Sequence, residues 1–476
     1  MARQTTRRRT WIGVGLVLGV AAIGAGAWGV QRWAPFADDP EAVAWPQNIQ
    51  PLADFVEHTT GQQFVEPIAI EFIGEVQAYE ARVGVATTEP TDADRADAAI
   101  EEGIGRALGL WKGEVSVLAV RDAYANAAPF PVTRLADERI IVVNAAGEVA
   151  LLPALVRAEL TLRLTQALDD QLFHTTERAS EAATSQDYQV MLALALGHAI
   201  WVHDRYVEQL SDDDIDEYYT ADDARWEEYS AGVIAEVPAS YRAIRVVAQR
   251  LGPMFIEALS EEGRELVEHA FTNDLPAALD QVSLPAGKYL RRDRLEAVTA
   301  PPGPLAAEVE LSNQMGPFGL YLLLSTGQPA TDALTAADGW GNDRYTAYVL
   351  DGRVCVDVHV VADSRDDADR LENGFNAWAR ARPPAADALV ARRGTDLYAT
   401  ACDPGADADQ PVPTDEAIDH YLGRAQEIEW RSDYSGNPAL AECVAVTLYA
   451  SYLFDDESSD YWTAADGIEQ DCLDAV

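Results

Sequence analysis

Apolar residues along this chain fall into distinct patterns, and each pattern predicts a different kind of element. Nearest the N-terminus, Thr10 to Gln31 is uncharged and mostly apolar, long enough for one helix to cross a bilayer. Arg3 and Arg7 to Arg9 precede this run and Arg32 follows it, with Trp11, Trp28 and Trp33 where interfacial aromatics belong. The arginines on the short side predict that residues 1–9 are cytoplasmic, 10–33 form a membrane anchor and the remainder is extracytoplasmic. Ala25-Gly-Ala27 offers the alternative of a cleaved signal peptide. Residues 34–47, with prolines and aspartates, read as a tether.

Further along, apolar residues recur at helical spacing in Val156 to Phe173 and Thr184 to Leu210. The β-branched run Arg139-Ile-Ile-Val-Val143 predicts a strand. Leu305 to Cys402 is richer in strand patterns, with a hairpin-like stretch from Thr346 to Val361 and a helix to about Trp378. Prolines in Ala300-Pro-Pro-Gly-Pro304 and Arg382-Pro-Pro384 mark loops. From Thr414 the pattern is helical again, with Ala439 to Leu453 as the most amphipathic stretch. The expected fold class is α+β, mainly helical, with a small strand-rich region. Residues 48–405 form the body and 406–476 a helical tail, without internal repeats.

The segment Val156-Arg-Ala-Glu-Leu-Thr-Leu-Arg-Leu-Thr-Gln-Ala-Leu-Asp-Asp-Gln-Leu-Phe173 carries the most specific signal. It resembles, without a gap, the zinc helix of an actinobacterial extracytoplasmic family related to neutral zinc metallopeptidases, which reads roughly Val-Arg-Ala-x-Leu-x-His-Glu-Leu-Thr-His-Ala-Leu-Gln-Asp-Gln-His-Phe. In such peptidases two histidines at i and i+4 hold the metal and the intervening Glu is the general base. The resemblance places Leu162 and Gln166 in the histidine slots and Arg163 in the glutamate slot. The family's third ligand, a Glu on a following helix, aligns with Leu196 in Leu196-Gly-His-Ala199. Leu cannot ligate, a Gln amide ligates zinc poorly, and Arg163 would set a permanent positive charge beside a cation. A register shifted by one turn restores a Glu, Glu159, but supplies no ligand.

Other segments follow the same family order: Ala107-Leu-Gly-Leu110, Leu251-Gly-Pro-Met-Phe255, Pro285-Ala-Gly-Lys-Tyr289 and, most specifically, Gly339-Trp-Gly-Asn-Asp-Arg-Tyr345. Leu284 stands where relatives tend to carry a His. The resemblance covers about residues 50 to 405 and implies a zincin-like body with a degenerate metal site. Within the helix itself, Glu159 and Arg163 are spaced to pair with each other, and Leu162 and Leu196 would seal the metal's place if they meet.

Charge narrows the partners. Against 35 basic residues stand 79 acidic ones, a net charge of −44, which argues against nucleic acid. Only Lys112 and Lys288 are lysines. The acidic run Ser211 to Glu217 lacks the glycine and terminal Glu of a calcium loop. Cys355, Cys402, Cys443 and Cys472 imply two disulfides in an exported chain, with Cys355–Cys402 and Cys443–Cys472 as the preferred pairing.

No Gly-x-Ser-x-Gly or Ser-x-x-Lys pattern supports a serine hydrolase, and Gly103-Ile-Gly-Arg-Ala-Leu-Gly109 departs from a dinucleotide fingerprint. The sequence therefore predicts a membrane-anchored extracytoplasmic pseudo-protease without catalytic residues or cofactor, whose former cleft takes a peptide or protein ligand. The alternatives are an active zinc peptidase that has recruited His198 and His203 with Glu159, and a purely structural envelope protein.

Overall fold

A computed structural model describes residues 44–74, 89–125, 132–134, 139–143, 151–233, 237–304, 308–450 and 467–474. The expected anchor, residues 10–33, lies outside these. Among the described residues no helix is long and apolar enough to cross a membrane.

The architecture is mixed α+β, with helices dominant and two small sheets. Helices α1 (Gln50–Thr60) and α2 (Asp92–Leu108) come first, then α3 (Ala154–Phe173), α4 (Ser185–Val207), α5 (Asp212–Val233), α6 (Ala239–Glu262) and α7 (Arg264–Thr272). Local chemistry sets several of these ends. Thr184 caps α4 by accepting the Asp187 amide at 3.1 Å, as a short oxygen-bearing side chain does at a helix start. α3 stops at His174, whose φ of 54° is left-handed and breaks the helical path.

The first sheet has three short strands in the order β1-β3-β2: β1 (Ile70–Ile73) runs parallel to β3 (Ile140–Val143), and β2 (Val132–Arg134) antiparallel to it. The expected strand at 139–143 is thus present and central. Ile140 and Val142 pack with Leu160, Leu164 and Leu168 of α3 and with Leu52 and Val56 of α1. The second sheet is antiparallel throughout, in the order β4-β5-β6-β8-β7, with β4 Glu308–Asn313, β5 Trp340–Leu350, β6 Arg353–Ala362, β7 Leu389–Arg393 and β8 Asp396–Cys402. The β5–β6 hairpin turns at Asp351-Gly352, both with positive φ, as a two-residue turn between right-twisted strands requires. It starts earlier than Thr346, at Trp340. Helices α8 (Gly316–Ser325) and α9 (Arg365–Ala381) belong to this half, with the short helix Ala330–Asp338 between them.

Both disulfides form in the expected pairing. Cys355 and Cys402 are directly opposed on β6 and β8, and Cys443 joins Cys472.

The stretch beyond residue 405 is built into the body. Helix α10 (Asp415–Ser435) packs along α6, and its Ile418, Tyr421, Ala425 and Ile428 belong to the same apolar core as Phe255, Leu259 and Tyr321. Arg424 closes on Asp338 at 2.7 Å. Helix α11 (Pro438–Ala450) is apolar around most of its circumference and buries Leu440, Ala441, Val444, Ala445 and Leu448. These residues fall at i, i+1, i+4, i+5 and i+8, on one face; residues 451–453 of the expected stretch lie outside the described residues.

Candidate functional site

The residues equated with zinc chemistry lie where α3, α4 and β2 meet. Leu162 and Leu196 are both buried and share one small apolar cluster with Ala199, flanked by Leu192 and Ile200. Two of the four positions are thus apolar and in mutual contact. Gln166 is partly buried, and its Oε1 accepts a hydrogen bond from Arg163 Nη1 at 3.1 Å. Arg163 itself is enclosed and donates through Nε to the Val132 carbonyl at 3.2 Å. The residue in the slot of the general base is a tie between α3 and the edge strand β2. The guanidinium thereby supplies a donor to a carbonyl of the edge strand.

The expected Glu159–Arg163 pair is secondary. Their closest N–O approach is 4.0 Å, whereas Glu159 Oε1 accepts from Arg225 Nη1 of α5 at 2.6 Å. Glu159 has no exposed surface, and its Oε2 accepts no hydrogen bond among the described residues. Arg225 also bonds Asp222 one turn back on its own helix. Burial opposes the charge on Arg225, but Glu159 and Asp222 outweigh this and hold its pKa above the ordinary value. Burial pushes the Asp222 carboxyl up in spite of Arg225. The helical spacing rule missed this arrangement because a fully enclosed carboxylate takes the partner that can reach it in the dry interior.

His198 and His203 do not converge. His198 Nδ1 meets both oxygens of buried Asp169 on α3, at 2.9 and 3.0 Å, and its ring lies between Trp201 and Phe271. His203 Nδ1 meets Asp204 at 2.8 Å and its Nε2 faces the Tyr218 hydroxyl at 3.4 Å. Burial alone would depress the His203 pKa; the bond to Asp204 and the charges of Asp204, Glu159 and Asp222 outweigh it, so the pKa is raised. Each imidazole is engaged with a different neighbour. Among the described residues no three His, Cys, Asp or Glu side chains are placed to hold a metal ion.

The ground between α4 and α6 is closed by backbone. A methyl group on Gly197 would lie 2.4 Å from the Gly252 carbonyl carbon, and one on Gly252 would lie 2.2 Å from the Ala193 oxygen. Only glycine allows helices to cross this closely. Beside the crossing, Glu257 takes Arg205 at 2.6 Å and the Trp201 indole N–H.

The Gly339 to Tyr345 segment proves to be a fastening. Asp343 is fully buried and accepts from the Trp340 indole at 2.9 Å and from the Met315 and Gly316 amides at 2.8 Å each. Burial raises its pKa, with these donors pulling the other way. Asn342 accepts from Gln314 at 2.9 Å and donates to the Glu296 carbonyl at 2.6 Å. The motif thus pins the start of α8 and the loop before β4 to the sheet.

Residues 307–410 match a family model described as a Domain of unknown function (DUF8575). That span runs from β4 past β8 and includes the Asp343 fastening. No curated protein and no solved structure matches the chain.

Proposed function

We propose that this protein is a non-hydrolytic relative of zinc peptidases, anchored by residues 10–33 with its bulk outside the cell membrane. Its work would be to bind or regulate a peptide or protein partner. One observation supports the reading: every position equated with zinc chemistry holds a side chain committed to something else. Leu162 packs with Leu196, Gln166 is held by Arg163, and Arg163 is bonded to Val132. A metal there would face a guanidinium and two leucines, which supply no lone pair.

The two disulfides accord with an oxidising compartment. Enclosure of Leu162, Arg163 and Leu196 favours a second reading, a structural envelope protein in which the ancestral cleft has closed. On either reading a partner would dock away from these residues.

The test is zinc stoichiometry of the full-length protein after zinc loading and dialysis, combined with cleavage of an unstructured peptide with and without chelator. The expected result is no retained zinc and no chelator-sensitive cleavage. Retention of about one zinc per chain, lost in His198→Ala or His203→Ala, would establish an active enzyme with rearranged ligands instead. Saturable peptide binding without cleavage separates the regulatory role from the structural one.

A further inference from the structure

A groove on the surface far along the chain from these helices has a different chemistry. Residues 285–289 form one turn of π-helix, and the chain then exposes Arg291, Arg292 and Arg294. These three line a groove of about 460 Å³ together with Gly287, Lys288 and the carboxylates Asp293, Glu296 and Asp363, a volume within the range of small-ligand sites. With 79 acidic residues to 35 basic ones, a surface arginine of this protein is rarely far from a carboxylate. Yet none of the three guanidiniums forms a hydrogen bond or ion pair among the described residues.

The segment that carries them is fixed. Leu290 N–H donates to Pro285 O, Arg292 N–H to Tyr289 O and Asp293 N–H to Lys288 O, each at 2.9 Å. Gln281 Nε2 holds the Asp293 carbonyl at 2.6 Å, and the Glu296 amide bonds Gly341 O at 3.1 Å. Arg292 has a φ of 57°, a left-handed conformation that costs a non-glycine residue energy and persists only where its surroundings impose it. Beneath the segment, Lys288 is shared by Asp280, Asp293 and Asp363 at 3.5, 3.1 and 2.5 Å. Asp280, Asp293 and Asp363 thus turn to the ammonium and make no ion pair with the arginine trio. Three exposed guanidiniums on this fixed backbone offer forks matched to the oxygens of a carboxylate or phosphate.

We propose that Arg291, Arg292 and Arg294 form a recognition site for a small ligand bearing a compact oxyanion, a carboxylate or a phosphate monoester. Asp293 and Glu296 line the same groove and repel an extended polyanion, so the ligand is one whose single oxyanion reaches the guanidiniums without running past these carboxylates. This inference does not depend on the zinc-peptidase reading.

The experiment is calorimetric titration of the full-length protein with inorganic phosphate and, separately, with citrate at low salt. At least one anion should bind saturably at millimolar or lower concentration, and binding should weaken as sodium chloride is added. Arg291→Gln/Arg294→Gln should weaken it at least about tenfold. Arg292→Gly, which keeps the left-handed backbone while deleting the guanidinium, should weaken it without lowering the melting temperature. Arg380→Gln, an exposed arginine elsewhere, should leave it unchanged. Phosphate alone binding identifies a phosphate monoester as the ligand class, and citrate alone a carboxylate. The proposal is overturned if neither anion binds, or if the double variant binds as the wild type does.

Discussion

Removal of Arg225 is the most direct probe of how the interior is held. Its guanidinium serves two enclosed carboxylates: Glu159, with no exposed surface, at 2.6 Å, and Asp222 beside it. The next cationic nitrogen, Arg163 Nη2, is 4.0 Å from Glu159. Arg225→Met keeps most of the apolar stem but leaves both carboxylates without their main counter-charge. Breaking a buried pair in this way costs about 3–5 kcal/mol, and two orphaned acids place the expected loss toward the upper end. In urea, with an m-value near 3 kcal/mol/M, the midpoint should fall by about 1 M or more. Arg225→Met/Glu159→Gln removes one orphan charge, and its loss should drop by about 2 kcal/mol relative to the single variant. Denaturation followed by tryptophan fluorescence and circular dichroism gives both numbers. A midpoint shift under about 0.3 M at unchanged m-value, or a double variant as unstable as the sum of the two singles, would refute the argument.

Three further outcomes follow from other parts of the interior. Leu162→Ala should cost about 3 kcal/mol by opening a cavity against Leu196, read from the same urea curves. Gly197→Ala should lower stability by at least about 2 kcal/mol, because its methyl must displace the backbone at Gly252; calorimetric melting checks this. Glu442 accepts the Ala286 and Gly287 amides at 2.7 Å each, and burial lifts its carboxyl from 4.5 to about 7 against their pull. A raised carboxyl contributes stability that is complete below 4.5 and lost as pH rises through 7, about 3 kcal/mol in all. Glu442→Gln should flatten that stretch of the stability–pH curve.

Much of the local structure was legible because short-range physics decides it. Apolar spacing located α3 and α4, β-branching located β3, the strand-rich pattern located the hairpin around Thr346 to Val361, and the four cysteines paired as expected. What stayed hidden depends on contacts between residues far apart in sequence. Spacing on one helix made Arg163 the natural partner of Glu159, yet burial gave that role to Arg225, 66 residues away. The Glu442 contact with the π-helical turn spans 155 residues or more. Nothing in a glycine announces which other glycine it will cross, so the meeting of Gly197 and Gly252 left no trace in the sequence.

The placement of α10 has a consequence for the order in which the molecule is made. Its Ile418, Tyr421 and Ile428 fill the same core as Phe255 of α6 and Tyr321 of α8, and the Tyr321 hydroxyl bonds the Ala417 carbonyl at 2.5 Å. A chain synthesised from its N-terminus therefore presents α6 and α8 before the helix that covers them exists. Until the residues beyond Thr414 emerge, that apolar face stays open to water and to other chains. A chain that had emerged only as far as Cys402 would hold all eight described strands and both cysteines of the first disulfide, and would still be incompletely folded.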